Sequence, residues 1–179
     1  MKIIVFGIGM YVAGENESSY GTILPALIEN KKNNNDLKKI TFIKKNKSNI
    51  NLLDRKINKI FSINRIKLDF EIKYNFDLNL KKFLNSEEKP DCAIICLPDH
   101  LHYKYTNICL QNNIHCLVVK PLTTKLFDAK KLSELAKKNN LYAAVEFHKR
   151  WDKQNLIIKE KFDNKTLGDP LYSIVEYSQ

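Results

Sequence analysis

Short apolar runs alternate along this 179-residue chain with segments whose apolar residues recur every three to four positions. Runs of the first kind predict buried strands, and segments of the second kind predict amphipathic helices. The predicted strands are residues 2–6, 39–44, 68–74, 92–97, 114–119 and 141–145. The predicted helices are residues 23–30, 46–65, 100–112 and 125–139. This alternation predicts an α/β fold, a doubly wound and mostly parallel sheet with helices on both faces.

Two predicted strands end in a turn that contains proline. Pro98 and Asp99 follow the fourth strand, and Lys120 and Pro121 follow the fifth. Because the strands of a parallel sheet point the same way, both turns lie at its carboxyl edge, where doubly wound folds bind ligands. The sequence therefore predicts a cofactor cleft at this edge. We also expect Asp99 to cap the helix that follows it.

A glycine loop follows the first predicted strand. Gly7 permits a tight turn and Gly9 lets a phosphate approach the backbone, as in the dinucleotide-binding loop of a Rossmann-type sheet. The third glycine of that fingerprint is missing, because Val12 stands in its place. We therefore expect a longer loop than usual, in which the pyrophosphate meets Gly9, Met10 and the helix start at Gly21.

With the glycine loop, the two proline turns resemble the Gfo/Idh/MocA family of nicotinamide-dependent sugar and polyol oxidoreductases. The family pattern is Thr-Pro-Asn, a histidine and then Glu-Lys-Pro. At these places the chain has Leu97-Pro98-Asp99, His102 and Val119-Lys120-Pro121. The resemblance implies a catalytic role for Lys120. The cofactor-binding residues that we predict are Gly7, Gly9, Met10, Lys44, Leu97, Pro98, Asp99, His102, Lys120, Pro121 and Arg150.

Lys120 is the residue in which the resemblance and general chemistry agree best. A lysine at a strand end, fixed by the next proline, can hold an ammonium near the nicotinamide and stabilise a developing alkoxide. The alternative is an ordinary surface lysine. The bond between Lys120 and Pro121 is also a candidate for the cis form.

Two departures from the family pattern weaken the predicted site. Val119 stands where the family has a glutamate that binds the nicotinamide ribose, and each lost hydrogen bond costs about 1 kcal/mol. Asp99 replaces an asparagine, so a donor is lost and a negative charge is added.

The second predicted strand bears on the choice between NADP and NAD. An acidic strand end binds the adenosine ribose hydroxyls of NAD, whereas a basic or small polar end accommodates the 2′-phosphate of NADP. Here Lys44 and Lys45 occupy that end. We predict a preference for NADP with one of these lysines near the phosphate. A pair of solvated lysines is the alternative.

Thirty basic and twenty acidic residues give the chain a net charge of +10. Nucleic acid, an anionic membrane surface or phosphate-bearing ligands would all suit this charge. The lysines are scattered, however, and no basic helix or stripe interleaved with aromatic residues stands out. We therefore expect no nucleic-acid partner. We also expect no membrane partner and a cytoplasmic location, because the apolar runs are too short to span a bilayer.

The pattern changes at the end of the sixth strand. A charged and aromatic segment, a helix pattern and a strand-like run at 171–177 follow. We expect residues 1–146 to form a dinucleotide-binding Rossmann domain. Residues 147–179 would begin a truncated C-terminal substrate domain, a short remnant of an α+β domain. The unpaired apolar strand predicts a homodimer through this segment.

The sequence thus predicts an oxidoreductase. Its partners would be a nicotinamide dinucleotide and a sugar or nucleotide-sugar, with hydride transfer at a secondary alcohol. The resemblance implies an aspartate and a histidine from a second domain, and such acid-base groups contribute about 10²- to 10⁴-fold. Activity of this chain by itself therefore stays open. The alternative is a non-catalytic nucleotide-binding or scaffold protein.

Overall fold

The computed structural model describes residues 1–16, 18–74, 80–166 and 168–176. The chain divides into two compact units, Met1–Glu146 and Phe147–Gln179. The first unit contains a six-stranded sheet, and the described part of the second contains a 3₁₀ helix, His148–Trp151, and an α-helix. Each unit is described here by itself.

All six strands of the first unit run parallel, in the order β3-β2-β1-β4-β5-β6. This is the strand order of a Rossmann fold, and it confirms the predicted fold class. The order of the strands reverses between β1 and β4, and doubly wound folds bind their ligands outside the carboxyl ends of the strands at such a point. The strands are β1 Lys2–Phe6, β2 Lys39–Lys44, β3 Asp69–Tyr74, β4 Cys92–Ile95, β5 His115–Val119 and β6 Ala143–Glu146.

Helices connect the strands and cover the sheet. In the first unit they are α1 Met10–Ala13, α2 Ile23–Asn33, α3 Ile50–Ile63, α4 Leu80–Leu84, α5 Asp99–Gln111 and α6 Leu126–Lys138. The apolar patterns of the sequence predict α2, α3, α5 and α6 to within a few residues. The short helices α1 and α4 were not predicted, because one turn of helix gives too few apolar repeats to be recognised.

Two apolar layers hold the sheet between the helices. In β1, Ile3 and Val5 point to one face, whereas Ile4 and Phe6 point to the other. Side chains of α2 and α3 pack on the first face, and side chains of α5 and α6 pack on the second. Burial on both faces explains why the strands read as continuous apolar runs rather than as an alternating pattern.

The helix after β1 is interrupted by the longer loop that the glycine spacing predicts. It ends at Ala13, and a new helix begins at Ile23. Gly14 and Gly21 have φ angles of 78° and 67°, which favour glycine. The N–H of Thr22 donates to the carbonyl oxygen of Tyr11 at 2.7 Å, so the chain returns to the end of α1 before α2 starts.

The second unit corrects one prediction. Its helix α7 spans Lys153–Asp163, but residues 171–176 adopt no regular secondary structure, and residue 177 lies outside the described residues. The predicted strand at 171–177 is therefore wrong for the residues that the structure describes. Leu171 and Val175 are 93% and 84% exposed. The homodimer stays a prediction, and it now rests on exposed apolar side chains rather than on a strand edge.

Candidate functional site

Paired positions of β1, β4, β5 and β6 form rows across the sheet near its carboxyl edge. Phe6 pairs with Ile95, Ile95 pairs with Val118, and Val118 pairs with Val145. The next residue in each chain segment forms a second row: Gly7 and Cys96 directly follow β1 and β4, whereas Val119 and Glu146 are the last residues of β5 and β6 and pair with each other. We call this set the edge row, and its members are Gly7, Cys96, Val119 and Glu146.

Gly7 and Gly9 serve different purposes. Gly7 has a φ of 94°, and a Cβ at this position would overlap the carbonyl oxygen of Cys96. Gly9 is exposed, and a Cβ there would meet nothing within 4 Å. The first glycine is therefore required by the packing of the sheet edge. The second leaves open space beside exposed Met10, which is the space that a phosphate close to the backbone needs.

The turn after β4 begins helix α5. Pro98 is the N-terminal cap residue of α5, with φ −56° and ψ 141°, and no side chain caps the helix by a hydrogen bond. The prediction that Asp99 caps this helix is therefore wrong. Asp99 lies in the first helical turn instead, where its carboxylate is favoured by the helix dipole. Leu97 and Asp99 flank the proline at the carboxyl edge of the sheet.

His102 joins this turn to the turn after β5. Its ring is buried, with an exposed fraction of 1%. Nε2 lies 2.7 Å from the carbonyl oxygen of Leu97, and Nδ1 lies 2.6 Å from the carbonyl oxygen of Pro121. The geometry gives His102 a positioning role, because its ring lies against both backbone turns of the cleft and a ring N–H can donate to a carbonyl oxygen of one of them. A direct contact between His102 and a cofactor stays a prediction.

Lys120 follows the last residue of β5. Its side chain is exposed, and the peptide bond to Pro121 is cis, the form considered from the sequence. Lys120 comes directly after Val119, the Cα partner of Glu146. An ammonium and a carboxylate therefore extend from adjacent strand ends.

The sequence did not indicate a contact between Tyr11 and Glu146. The Tyr11 hydroxyl donates to Oε2 of Glu146 at 2.9 Å, although the two residues are 135 positions apart. Burial, and then the hydrogen bond to Glu146, raise the pKa of Tyr11 to about 12. Burial, and then the charge of Glu146, raise the pKa of Cys96 to about 11. The only signal in the sequence was an acidic residue at the end of the sixth strand.

Lys44 lies in a polar cluster at the end of β2. Its Nζ lies 3.2 Å from Oδ1 of Asn46 and 3.4 Å from Oγ of Ser48. The Ser48 hydroxyl donates to the same Asn46 oxygen at 2.6 Å. Lys45 is exposed beside this cluster. The strand end thus offers an ammonium and a hydroxyl, both of which can bind a phosphate.

Arg150 belongs to the second unit. Its guanidinium carbon lies 4.7 Å from the centre of the Phe147 ring, a cation–π contact within that unit. Contact between Arg150 and a cofactor or substrate stays a prediction.

The strand order defines a Rossmann-type domain. Residues 21–147 match the family described as "Oxidoreductase family, NAD-binding Rossmann fold". The chain belongs to this family, Gfo/Idh/MocA, and the predicted resemblance is confirmed.

Several characterised relatives are dehydrogenases. The chain is 29% identical over 79 residues to scyllo-inositol 2-dehydrogenase (NADP(+)) IolW of Bacillus subtilis, covering 44% of this chain and 22% of that protein. It is 28% identical over 81 residues to D-glucoside 3-dehydrogenase of Escherichia coli, covering 45% and 23%. An uncharacterized oxidoreductase of Schizosaccharomyces pombe is 34% identical over 86 residues, covering 48% and 23%. The matched region thus spans less than a quarter of each relative.

Solved structures share the fold. An NAD binding oxidoreductase from Klebsiella pneumoniae superposes with a TM-score of 0.66 at 16% identity, covering 95% of this chain and 40% of that chain. The WlbA (WbpB) dehydrogenase from Thermus thermophilus, solved with NAD and UDP-GlcNAcA, gives a TM-score of 0.64 at 19% identity, covering 91% and 47%.

Proposed function

We propose that the unit Met1–Glu146 binds a nicotinamide dinucleotide across the carboxyl edge of its sheet. The observation that carries this proposal is the contrast between the two glycines. Gly7 is packed against the backbone of Cys96, the residue after β4, whereas Gly9 leaves open space next to the start of α1. Gly9 and Met10 would hold the pyrophosphate. The turns that contain Pro98 and Pro121 would flank the nicotinamide half.

The reaction that we propose is the reversible oxidation of a secondary alcohol of a sugar or nucleotide-sugar. The bound nicotinamide supplies the hydride chemistry. Lys120 would donate a hydrogen bond to the reacting oxygen and stabilise the charge that develops there. The names of the inositol and glucoside dehydrogenases among the relatives support a polyol or sugar substrate. Neither a nucleic acid nor a membrane is among the proposed partners, and a cytoplasmic location stays a prediction.

The relative affinity for NADP⁺ and NAD⁺ tests whether the polar cluster at the end of β2 binds a phosphate. We expect NADP⁺ to bind about five- to tenfold more tightly than NAD⁺, because a partly exposed ion pair contributes about 1 kcal/mol. Replacing Lys44 by methionine should remove most of this difference and leave the NAD⁺ affinity unchanged. Calorimetric titration of each variant with both dinucleotides measures the two affinities. Lys67→Met is the matched control, since Lys67 is exposed before the amino end of β3. Tighter binding of NAD⁺ to the unmodified chain would refute the preference.

Lys120→Met tests the proposed chemistry. We expect turnover with a polyol and NADP⁺ to fall about tenfold to 100-fold, because the variant loses the charge that stabilises the reacting oxygen. The loss is not larger because an exposed ammonium stabilises charge less than a buried one does. Dinucleotide affinity should change less than about twofold, because the methionine preserves the length of the side chain. Absorbance of the reduced nicotinamide gives the rate. Lys138→Met, at the last residue of α6, is the control. Equal rates for Lys120→Met and the unmodified chain would exclude this role for Lys120.

A second candidate function is dinucleotide binding without turnover. Val119 favours it, because the family pattern has a carboxylate at that position and valine can accept no hydrogen bond. Tight binding of NADP⁺ or NAD⁺ with no reduction of either cofactor, over a panel of polyols and nucleotide-sugars, would support this candidate over the enzyme.

A further inference from the structure

Glu146 lies on the same face of the sheet as Val119. The two residues are Cα partners in the parallel pairing of β5 and β6, and paired residues of neighbouring strands point to the same face. Val119 packs against the same apolar layer as Tyr11 and Cys96. The hydrogen bond from Tyr11 to Glu146 shows that the carboxylate is on this side as well. The carboxylate of Glu146 therefore lies one strand away from Val119, whose side chain has no carboxylate.

The charge of Glu146 acts along the edge row. Gly7 contributes no side chain to the row, Val119 contributes an apolar one, and Cys96 contributes a partly buried thiol. The carboxylate of Glu146 helps to raise the pKa of Cys96, so its field reaches the end of β4. Within the edge row, Glu146 is the residue that carries a strong hydrogen-bond acceptor in its side chain.

Glu146 is linked to both ends of the proposed dinucleotide site. Tyr11, which holds it, is two residues beyond Gly9, and Lys120 directly follows its Cα partner Val119. The carboxylate thus contacts the short helix that follows the glycine loop, and it belongs to the strand beside the one that ends just before Lys120. In a nicotinamide dinucleotide one ribose separates the pyrophosphate from the nicotinamide. A carboxylate can accept hydrogen bonds from the two vicinal hydroxyls of such a ribose.

We propose that the carboxylate of Glu146, oriented by Tyr11, binds the hydroxyls of the ribose next to the nicotinamide. Glu146 then supplies from β6 the acceptor that Val119 does not supply from β5. This inference rests on the proposed binding of a dinucleotide. A purely structural Glu146, which only anchors Tyr11, is the competing interpretation.

The test compares two nucleotides by calorimetry. One is NADP⁺ or NAD⁺, whichever binds the unmodified chain more tightly. The other is ADP, which keeps the adenosine and the pyrophosphate but lacks the second ribose. We expect Glu146→Gln to weaken dinucleotide binding about tenfold, because hydrogen bonds to a charged group are the stronger kind. ADP affinity should change less than about twofold, since ADP lacks that ribose. Tyr11→Phe should weaken dinucleotide binding by a smaller factor.

Two further variants make the result specific. Glu29→Gln is the matched control, because Glu29 is exposed on α2 and contacts Lys32 at 3.9 Å. Adding Val119→Glu to Glu146→Gln should restore part of the lost affinity, since it returns a carboxylate to the same face of the sheet. Thermal melting of each variant checks that it is folded.

The outcomes separate this inference from the proposed function. If the unmodified chain binds neither nucleotide, both are overturned. If it binds the dinucleotide but Glu146→Gln binds equally well, or loses ADP affinity to the same extent, only the role of Glu146 is overturned.

Discussion

Gly7→Ala is expected to lower the free energy of unfolding by about 4 kcal/mol, because left-handed backbone strain adds to an overpacked contact. The φ of 94° at Gly7 lies in the region that side chains avoid. A Cβ would also overlap the carbonyl oxygen of Cys96, which is backbone and cannot rotate away. Either β1 and β4 must separate at their carboxyl ends, or the loop must refold. Urea denaturation followed by circular dichroism measures the loss.

Gly9→Ala is the control for this experiment and gives the opposite pattern. The φ of Gly9 is −87°, which alanine adopts without strain, and its Cβ would meet nothing within 4 Å. Stability should therefore change by less than about 0.5 kcal/mol. Dinucleotide affinity should fall, since the methyl group fills the space proposed for the pyrophosphate. Equal stability of Gly7→Ala and the unmodified chain would contradict the prediction and show that the backbone after β4 can shift at little cost.

The sequence predicts most of the sheet, because strands that are buried on both faces have to be apolar throughout. The ends of elements are less accurate. The fourth strand was predicted to reach residue 97, but β4 ends at Ile95. The turn residues that follow are apolar as well, so hydropathy alone cannot separate them from the strand.

The strand predicted at 171–177 failed for a different reason. Its apolar residues fit a strand, but strand propensity is largely a measure of packing against neighbouring strands. Residues 171–176 have no ladder in the described part of the chain, and Ile174 is 80% exposed. A pattern of apolar side chains indicates that a segment can be buried, but a strand also requires a neighbouring strand to pair with.

The candidate site was predictable where its residues are neighbours in sequence. The turns at Pro98 and Pro121 follow recognisable strands, so their position at one edge could be predicted. Tyr11 lies just after the first strand and Glu146 ends the last strand, so their hydrogen bond joins residues that are 135 positions apart. No local pattern encodes that contact, because it depends on where the tertiary fold places α1 and the end of β6.

His102→Ala is expected to lower the free energy of unfolding by about 3 kcal/mol. The substitution removes a buried ring and leaves the carbonyl groups of Leu97 and Pro121 without the nitrogens that face them at 2.7 and 2.6 Å. A lost hydrogen bond in a partly buried place costs about 1 kcal/mol, and the cavity left by the buried ring adds about 2 kcal/mol. His100→Ala is the matched control, because His100 is exposed in the same helical turn.

The effect of His102→Ala should also be local to the cleft. Since one imidazole bridges both turns, its loss should speed hydrogen exchange at residues 97–101 and 120–124 together, more than in the strands below them. Dinucleotide affinity should then fall, because the two turns no longer hold a fixed separation. Faster exchange in only one of the two turns would contradict a bridging role, since the histidine would then stabilise that turn alone.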